Sequence, residues 1–154
     1  KGSVSNENCG QCQLAQPVST RAQRPEERMP PINETAIASL LRHIEPQYRN
    51  MCGMILRGES ATFSQAWQDW YLFHNIFGHI ERLSTWGGGV YVDVGTNAAT
   101  EISNTLFFDK CLGWRGVCFE PQRHYHKAIL QNRSCQLVPR CVVGLGASTH
   151  GHMK

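Results

Sequence analysis

Residues 90–121 carry the feature that most constrains the fold, a strand–turn–helix–strand pattern. A short apolar run at residues 90–94 contains Asp93 and is followed directly by Gly95. A helix-compatible stretch at 102–112 comes next, and a second apolar run at 117–119 leads into Glu120 and Pro121. In open parallel sheets, ligands bind beyond the carboxyl ends of the strands. The pattern therefore places a glycine turn and an acid where a cofactor containing adenosine would bind.

The rest of the chain extends the alternation of helices and strands. Apolar residues within 37–44 recur at helical spacing, with Asn33 or Thr35 as the predicted cap and Pro46 as the end. Pro139 makes the last predicted strand irregular, or confines it to an edge of the sheet. This order predicts an α/β fold of the doubly wound kind, with about three parallel strands. The further predicted elements are helices at 64–80 and 123–131 and a strand at 136–143.

Length and composition narrow the class of protein. The chain has 154 residues, enough for one ordinary domain, with 41% hydrophobic and 18% charged residues. A formal net charge of +3 from scattered basic residues argues against nucleic acid as the partner. No apolar run approaches the roughly 20 residues of a membrane span. We predict a disordered tail at 1–33, a helical lead-in at 34–62, a partial enzyme domain at 63–154 and a loop at its end, 144–154.

The cysteines and the sequons leave the compartment open between the cytoplasm and the secretory pathway. The chain has seven cysteines, and Cys9 and Cys12 form a CxxC pair that lacks two further zinc ligands. Cys52 stands alone, whereas four cysteines lie in or beside apolar runs, which favours buried reduced thiols. We expect no metal site. Asn33 and Asn132 begin N-x-[ST] triplets, a weak indication of a secretory setting.

Three kinds of nucleotide site compete for the turn after the first strand. A P-loop string is absent, and the turn has one glycine where a dinucleotide site needs G-x-G-x-x-G, so NAD is the weaker alternative. S-adenosylmethionine has no phosphate and needs less glycine. Gly95 would let the backbone turn under this cofactor. Asp93 would lie beside its ammonium group or orient the turn, and Glu120 would accept hydrogen bonds from both ribose hydroxyls.

The residues also resemble those of the FkbM family of S-adenosylmethionine-dependent methyltransferases. The strings that carry the resemblance are VDVGTN, SNTLFFDKCLGWRGVCFEP, QNRS and the upstream SQAWQDWYLFHNIF, within residues 63–144. The resemblance implies a Rossmann-like class I methyltransferase fold that transfers a methyl group to an oxygen, on a small molecule or a sugar. It also implies where the cofactor contacts fall: Asp93, Gly95, Asn97 and Glu120, with Ser103, Asn104 and the helix of Gln65 and Asp69 nearby.

Two departures from the family pattern motivate an alternative function. Ala98 and Ala99 stand where the family usually has Asp-Gly, and about three strands are present where the family fold has seven. We therefore expect the chain to be a fragment of a longer enzyme that is inactive alone, with no catalytic residue to name. The alternative is a degenerate, non-catalytic Rossmann-like domain that acts as an interaction module. The methyl acceptor and the oligomeric state stay open.

Overall fold

The computed structural model describes residues 32–77 and 87–143. The predicted tail, except for residues 32 and 33, the CxxC pair and the loop at 144–154 lie outside these ranges. The described elements, in chain order, are α1 Glu34–Leu41, α2 Pro46–Leu56, α3 Gln68–Leu72, a π-helical turn Phe73–Phe77, β1 Val90–Val94, a second π-helical turn Phe107–Cys111, β2 Arg115–Phe119, α4 Arg123–Asn132 and β3 Gln136–Val138.

The three strands form one parallel sheet in the order β1-β2-β3. β1 and β2 pair along their full lengths, with Val92 opposite Val117. Three residue pairs join β2 to β3, with Cys118 opposite Leu137 at the centre. The predicted α/β class with about three parallel strands is confirmed for the described residues. Between β1 and β2 the predicted helix is reduced to a short π-helical turn.

The two faces of the sheet differ in burial because successive side chains of a strand point to opposite faces. On one face Tyr91 and Cys118 join a hydrophobic cluster with Phe107 of the second π-helical turn and Ile129 of α4. On the other face the β1 residues are 60–68% exposed in the described part of the chain; they are Val90, Val92 and Val94. The core therefore lies on one side of the sheet.

The helical lead-in packs into this same core. The side chain of Asn33 accepts a hydrogen bond of 2.8 Å from the backbone nitrogen of Thr35, which confirms Asn33 as the cap of α1. Ile37 on α1 is 1% exposed, as the helical spacing predicted, and Ile44 is equally buried although it lies beyond the end of the helix at Leu41. The prediction that Pro46 ends the first helix is wrong, since α1 already ends at Leu41. Pro46 instead stands at the first position of α2, where its missing N–H costs nothing.

Three predicted boundaries are wrong for local reasons. The helix predicted at 102–112 begins only near residue 106, because Ile102 has a φ of +52° and the side chain of Ser103 caps the backbone nitrogen of Leu106. The strand predicted at 136–143 ends at Val138, since Pro139 cannot donate to the ladder. The helix predicted at 64–80 begins at 68 after Trp67, whose φ is +63°.

The aromatic residues between 67 and 77 are only partly buried. Phe73 is fully buried, but Trp67 and Tyr71 are 42% and 51% exposed. Trp114 anchors the turn before β2: its ring packs against Phe108, and a side chain at Gly89 would collide with it.

The expectation of buried reduced thiols is wrong for the four cysteines in or beside apolar runs, since Cys111, Cys118 and Cys135 are oxidised in disulfides and Cys141 is exposed. Cys52 of α2 is bonded to Cys111, and Cys118 of β2 is bonded to Cys135. The error arose because apolar neighbours show that a cysteine is buried but carry no signal for its partner, which lies 59 or 17 residues away. Cys141 is free and exposed. None of the described helices has the length and apolar character to cross a membrane.

Candidate functional site

The turn after β1 is tight and open to solvent. Gly95 has a φ of +73°, in the region that favours glycine, and a side chain there would meet nothing within 4 Å. The backbone nitrogens of Gly95 and Thr96 donate hydrogen bonds of 2.9 and 3.2 Å to the carbonyl oxygen of Phe119. These bonds fasten the turn to the end of β2, so the two strand ends form one unit.

The acid after β2 meets the turn after β1. Glu120 accepts a hydrogen bond of 2.7 Å at Oε2 from the backbone nitrogen of Asn97, whose φ is +56°. Its Oε1 accepts a bond of 2.8 Å from the backbone nitrogen of Gln122. Two groups that were 23 residues apart in sequence therefore converge at the carboxyl edge of the sheet.

The carboxylate of Glu120 nevertheless faces its own chain. The residue is only 2% exposed, and each oxygen already holds one backbone amide. A carboxylate oxygen has a second acceptor position, so its hydrogen-bonding capacity is not exhausted. In this conformation, however, an outside molecule does not reach these oxygens.

Asp93 points towards the chain that follows the turn. Its Oδ2 accepts a hydrogen bond of 2.6 Å from the hydroxyl of Thr105 and lies 3.6 Å from a guanidinium nitrogen of Arg133. The Asp93 side chain is 15% exposed. This carboxylate therefore fixes the segment after the glycine turn, and only a small part of it faces solvent.

Ser103 and Asn104 lie next to each other but differ in role. Ser103 is 4% exposed, and its hydroxyl accepts bonds from the backbone nitrogen of Leu106 at 3.1 Å and from Arg133 at 3.2 Å. It caps the second π-helical turn and is a structural residue. Asn104 is exposed and lies on the surface beside that cap.

The segment at 63–69, which contains Gln65 and Asp69, is hydrogen-bonded to the loop of the candidate site. Asp69 is fully buried and accepts bonds from the backbone nitrogen of Phe63 at 2.7 Å and from the hydroxyl of Ser64 at 2.8 Å. The carbonyl oxygen of Phe63 in turn accepts a bond of 2.9 Å from the backbone nitrogen of Ser103. Gln65 is exposed. Asp69 therefore fixes the loop at 62–64 beside the candidate site, and its buried carboxylate is not accessible to a ligand.

Arg133 is the central residue that the sequence analysis missed. Its side chain is buried, and its Nε donates a hydrogen bond of 2.6 Å to Asp109. The other guanidinium nitrogens contact the segment after the turn and the core strand: they reach the carbonyl oxygen of Ala99 at 3.3 Å, the hydroxyl of Ser103 at 3.2 Å, the hydroxyl of Thr105 at 2.6 Å and the hydroxyl of Tyr91 at 3.3 Å. The only sequence signal was a charged residue between a helix end and a strand, which is ordinarily exposed.

The hydrogen-bonding partners of Arg133 stabilise its positive charge. Burial acts to lower the pKa of Arg133, but its hydrogen bonds to Asp109 and Tyr91 and the negative charge of Asp109 outweigh burial and raise that pKa. Asp109 also accepts bonds from the backbone nitrogen and the hydroxyl of Ser134. The cluster of Arg133, Asp109 and Ser134 is therefore a compensated ion pair beneath the loop at 96–105.

Other parts of the described chain offer less for chemistry. A pocket of about 270 Å³ lies where β2 begins, away from Glu120; its lining residues are His43, Glu45, Asp109, Lys110, Gly113, Trp114, Arg115 and Ser134. Within residues 32–77 and 87–143, no group of three or more His, Cys, Asp or Glu side chains is placed to hold a metal ion.

Comparisons with known proteins add no assignment. A scan against protein-family models finds no match, and searches of curated proteins and of solved structures find no significant similarity. The resemblance to the FkbM family therefore stays a prediction from the residues.

Proposed function

We propose that this chain binds S-adenosylmethionine and belongs to a methyltransferase that acts on a hydroxyl oxygen of a small molecule or sugar. The observation that supports this most is the bond of 2.7 Å between the backbone nitrogen of Asn97 and Glu120. It brings the glycine turn of β1 and the acid of β2 to one edge of a parallel sheet, where ligands of such sheets bind.

The site residues fit this cofactor in part. Gly95 is exposed with open space around it, and Asn104 is also exposed. Glu120 has the right chemistry for a ribose diol but is closed in by the loop at 96–99. Binding through Glu120 requires that this loop move and that Asn97 give up its bond. S-adenosylmethionine supplies the methyl group on a sulfonium, and no residue of this chain is assigned a catalytic role.

A non-catalytic interaction module is the alternative function. The observation in its favour is that Glu120 is 2% exposed and bonded to two amides of its own chain, which is a complete structural role. Ala98 and Ala99, where the family pattern has Asp-Gly, point the same way. In that case the strand ends are built like a methyltransferase site but bind no adenosine compound.

Calorimetric titration with S-adenosylhomocysteine separates the two functions. We expect micromolar binding by the unaltered chain and a loss of roughly a hundredfold in Glu120→Ala, because two hydrogen bonds from the ribose hydroxyls to a charged acceptor disappear. Glu101→Ala is the matched control, since Glu101 is an exposed acid beyond the same turn. Its affinity should be unchanged.

Circular dichroism and urea unfolding of each variant show whether Glu120→Ala still folds. If it does not, Glu120→Gln, which keeps the shape and removes the charge, replaces it. No binding of S-adenosylhomocysteine by the folded, unaltered chain contradicts the methyltransferase proposal and leaves the interaction module. A parallel titration with NAD tests the weaker dinucleotide alternative, and tighter binding of NAD would also contradict the proposal.

A further inference from the structure

The two disulfides bear on where this chain matures. Cys52–Cys111 joins α2 to the second π-helical turn, and Cys118–Cys135 joins β2 to the residue before β3. All four cysteines are buried, so the bridges are part of the core. Such bridges form and persist in oxidising compartments and are rare where thiols are kept reduced. This observation is independent of the cofactor site.

The acceptor asparagine of each of the two sequons lies on the surface. Asn33 precedes Glu34 and Thr35, and Asn132 precedes Arg133 and Ser134. Asn33 and Asn132 are exposed, at the start of α1 and at the end of α4. An N-linked glycan is bulky and requires a surface position.

The hydrogen bonds of the two asparagines are compatible with a glycan. Asn33 uses its carbonyl oxygen, Oδ1, to cap α1, which leaves the nitrogen out of the capping bond. Asn132 donates a bond of 2.8 Å from Nδ2 to the carbonyl oxygen of Ala128. A glycosylated Nδ2 keeps one N–H, so this bond also survives the modification.

We propose that Asn33 and Asn132 are N-glycosylation sites of a chain that matures in an oxidising, glycosylating compartment. The donor is a lipid-linked oligosaccharide diphosphate. The bond between the sugar C1 and the diphosphate oxygen breaks, a C1–N bond forms to Nδ2, the amide proton passes to a base of the transferase, and the lipid diphosphate leaves.

The folded structure around the second sequon determines when its glycan is added. In the folded chain the hydroxyl of Ser134 donates to Asp109, and Arg133 is buried. The transferase has to recognise the hydroxyl of the sequon, so Asn132 is modified before this part folds. Thr35 is exposed, and Asn33 carries no such restriction.

Mass spectrometric peptide mapping under non-reducing conditions, on the protein from its natural source, tests the proposal. We expect peptides that join Cys52 to Cys111 and Cys118 to Cys135, and a mass shift at Asn33 and Asn132 that peptide-N-glycosidase removes. Bare asparagines at both positions, or the four cysteines found as thiols, would overturn it. A glycan at one position alone supports that site and overturns the other.

Variants secreted from a eukaryotic cell line assign each glycan. Thr35→Ala removes the first sequon and leaves the capping bond, which uses only backbone at that position. Asn132→Gln removes the second. Asn75→Gln is the matched control, because Asn75 also donates from Nδ2 to the carbonyl oxygen four residues before it but has no Ser or Thr two residues on. Each sequon variant should lose one glycan on a gel and the control none.

Discussion

Asp109 and Glu120 are equally buried acids at different places in the sheet, and they are compensated in different ways. Asp109 is 3% exposed and pairs with the guanidinium of Arg133 at 2.6 Å. Glu120 is 2% exposed and bonds to two neutral backbone amides at 2.7 and 2.8 Å. A buried carboxylate with a full countercharge is a closed structural unit. A carboxylate held only by amides beside an exposed turn has no ion-pair partner among the described residues, and it is the better candidate for binding a ligand.

The largest expected effect comes from breaking the compensated pair. Arg133→Met removes the cation and leaves Asp109 buried without it, which costs about 3–5 kcal/mol of unfolding free energy. Equilibrium unfolding in urea measures the loss. Arg57→Met is the matched control, since Arg57 also pairs through Nε with one carboxylate, Glu34 at 2.9 Å, but on the surface. The control should lose little stability, because exposed ion pairs are screened by solvent.

Equal losses in these two variants would contradict the distinction between the buried and the exposed pair. If Arg133→Met fails to fold at all, Arg133→Lys retains a charge near Asp109 and gives an intermediate loss. An Arg133→Lys variant as stable as the unaltered chain would show that the remaining contacts of the guanidinium, to Ala99, Ser103 and Thr105, contribute little.

The glycine turn offers a second, smaller test of the comparison. Gly95→Ala forces a side chain into a φ of +73° although the space is open, and we expect a loss of about 1–2 kcal/mol from strain alone. Gly58→Ala is matched, because Gly58 has a φ of +76° at the end of α2. Both variants should lose similar stability, but only Gly95→Ala should weaken binding of S-adenosylhomocysteine. Equal binding by both would separate the turn from the proposed site.

The sequence predicted those parts of the fold whose signals are local. The apolar run of β1, the cap at Asn33 and the helix after Gln122 depend on near neighbours, and each is confirmed. The convergence of Gly95 and Glu120 followed from the rule that parallel strands end at one edge. These predictions rest on local sequence patterns and need no knowledge of distant contacts.

The missed features depend on partners far away in sequence. Arg133 is buried only because Asp109 lies 24 residues earlier in sequence and supplies a countercharge. The two disulfides join residues that no local pattern pairs. The orientation of Glu120 towards the amide of Asn97 also depends on the left-handed φ of Asn97, which its sequence neighbours do not dictate. Residue type predicted where the acids stand, and tertiary contacts decided which way they face.

The smallest expected effect tests how firmly the Arg133 cluster is closed to solvent. Burial raises the pKa of the Tyr91 phenol, although the charge of Arg133 opposes this. The folded state therefore holds this proton more tightly than the unfolded state, whose tyrosine pKa is about 10. The resulting stability is fully present below about pH 10 and is lost as the pH rises above it.

Tyr91→Phe should cost about 0.5–1.5 kcal/mol at neutral pH, from the lost bond to Arg133, but should reduce the alkaline loss. Urea unfolding across the alkaline range measures both, with Tyr71→Phe as control because Tyr71 is 51% exposed. An alkaline loss that is identical in all three proteins would mean that Tyr91 ionises freely and that the cluster is open to water.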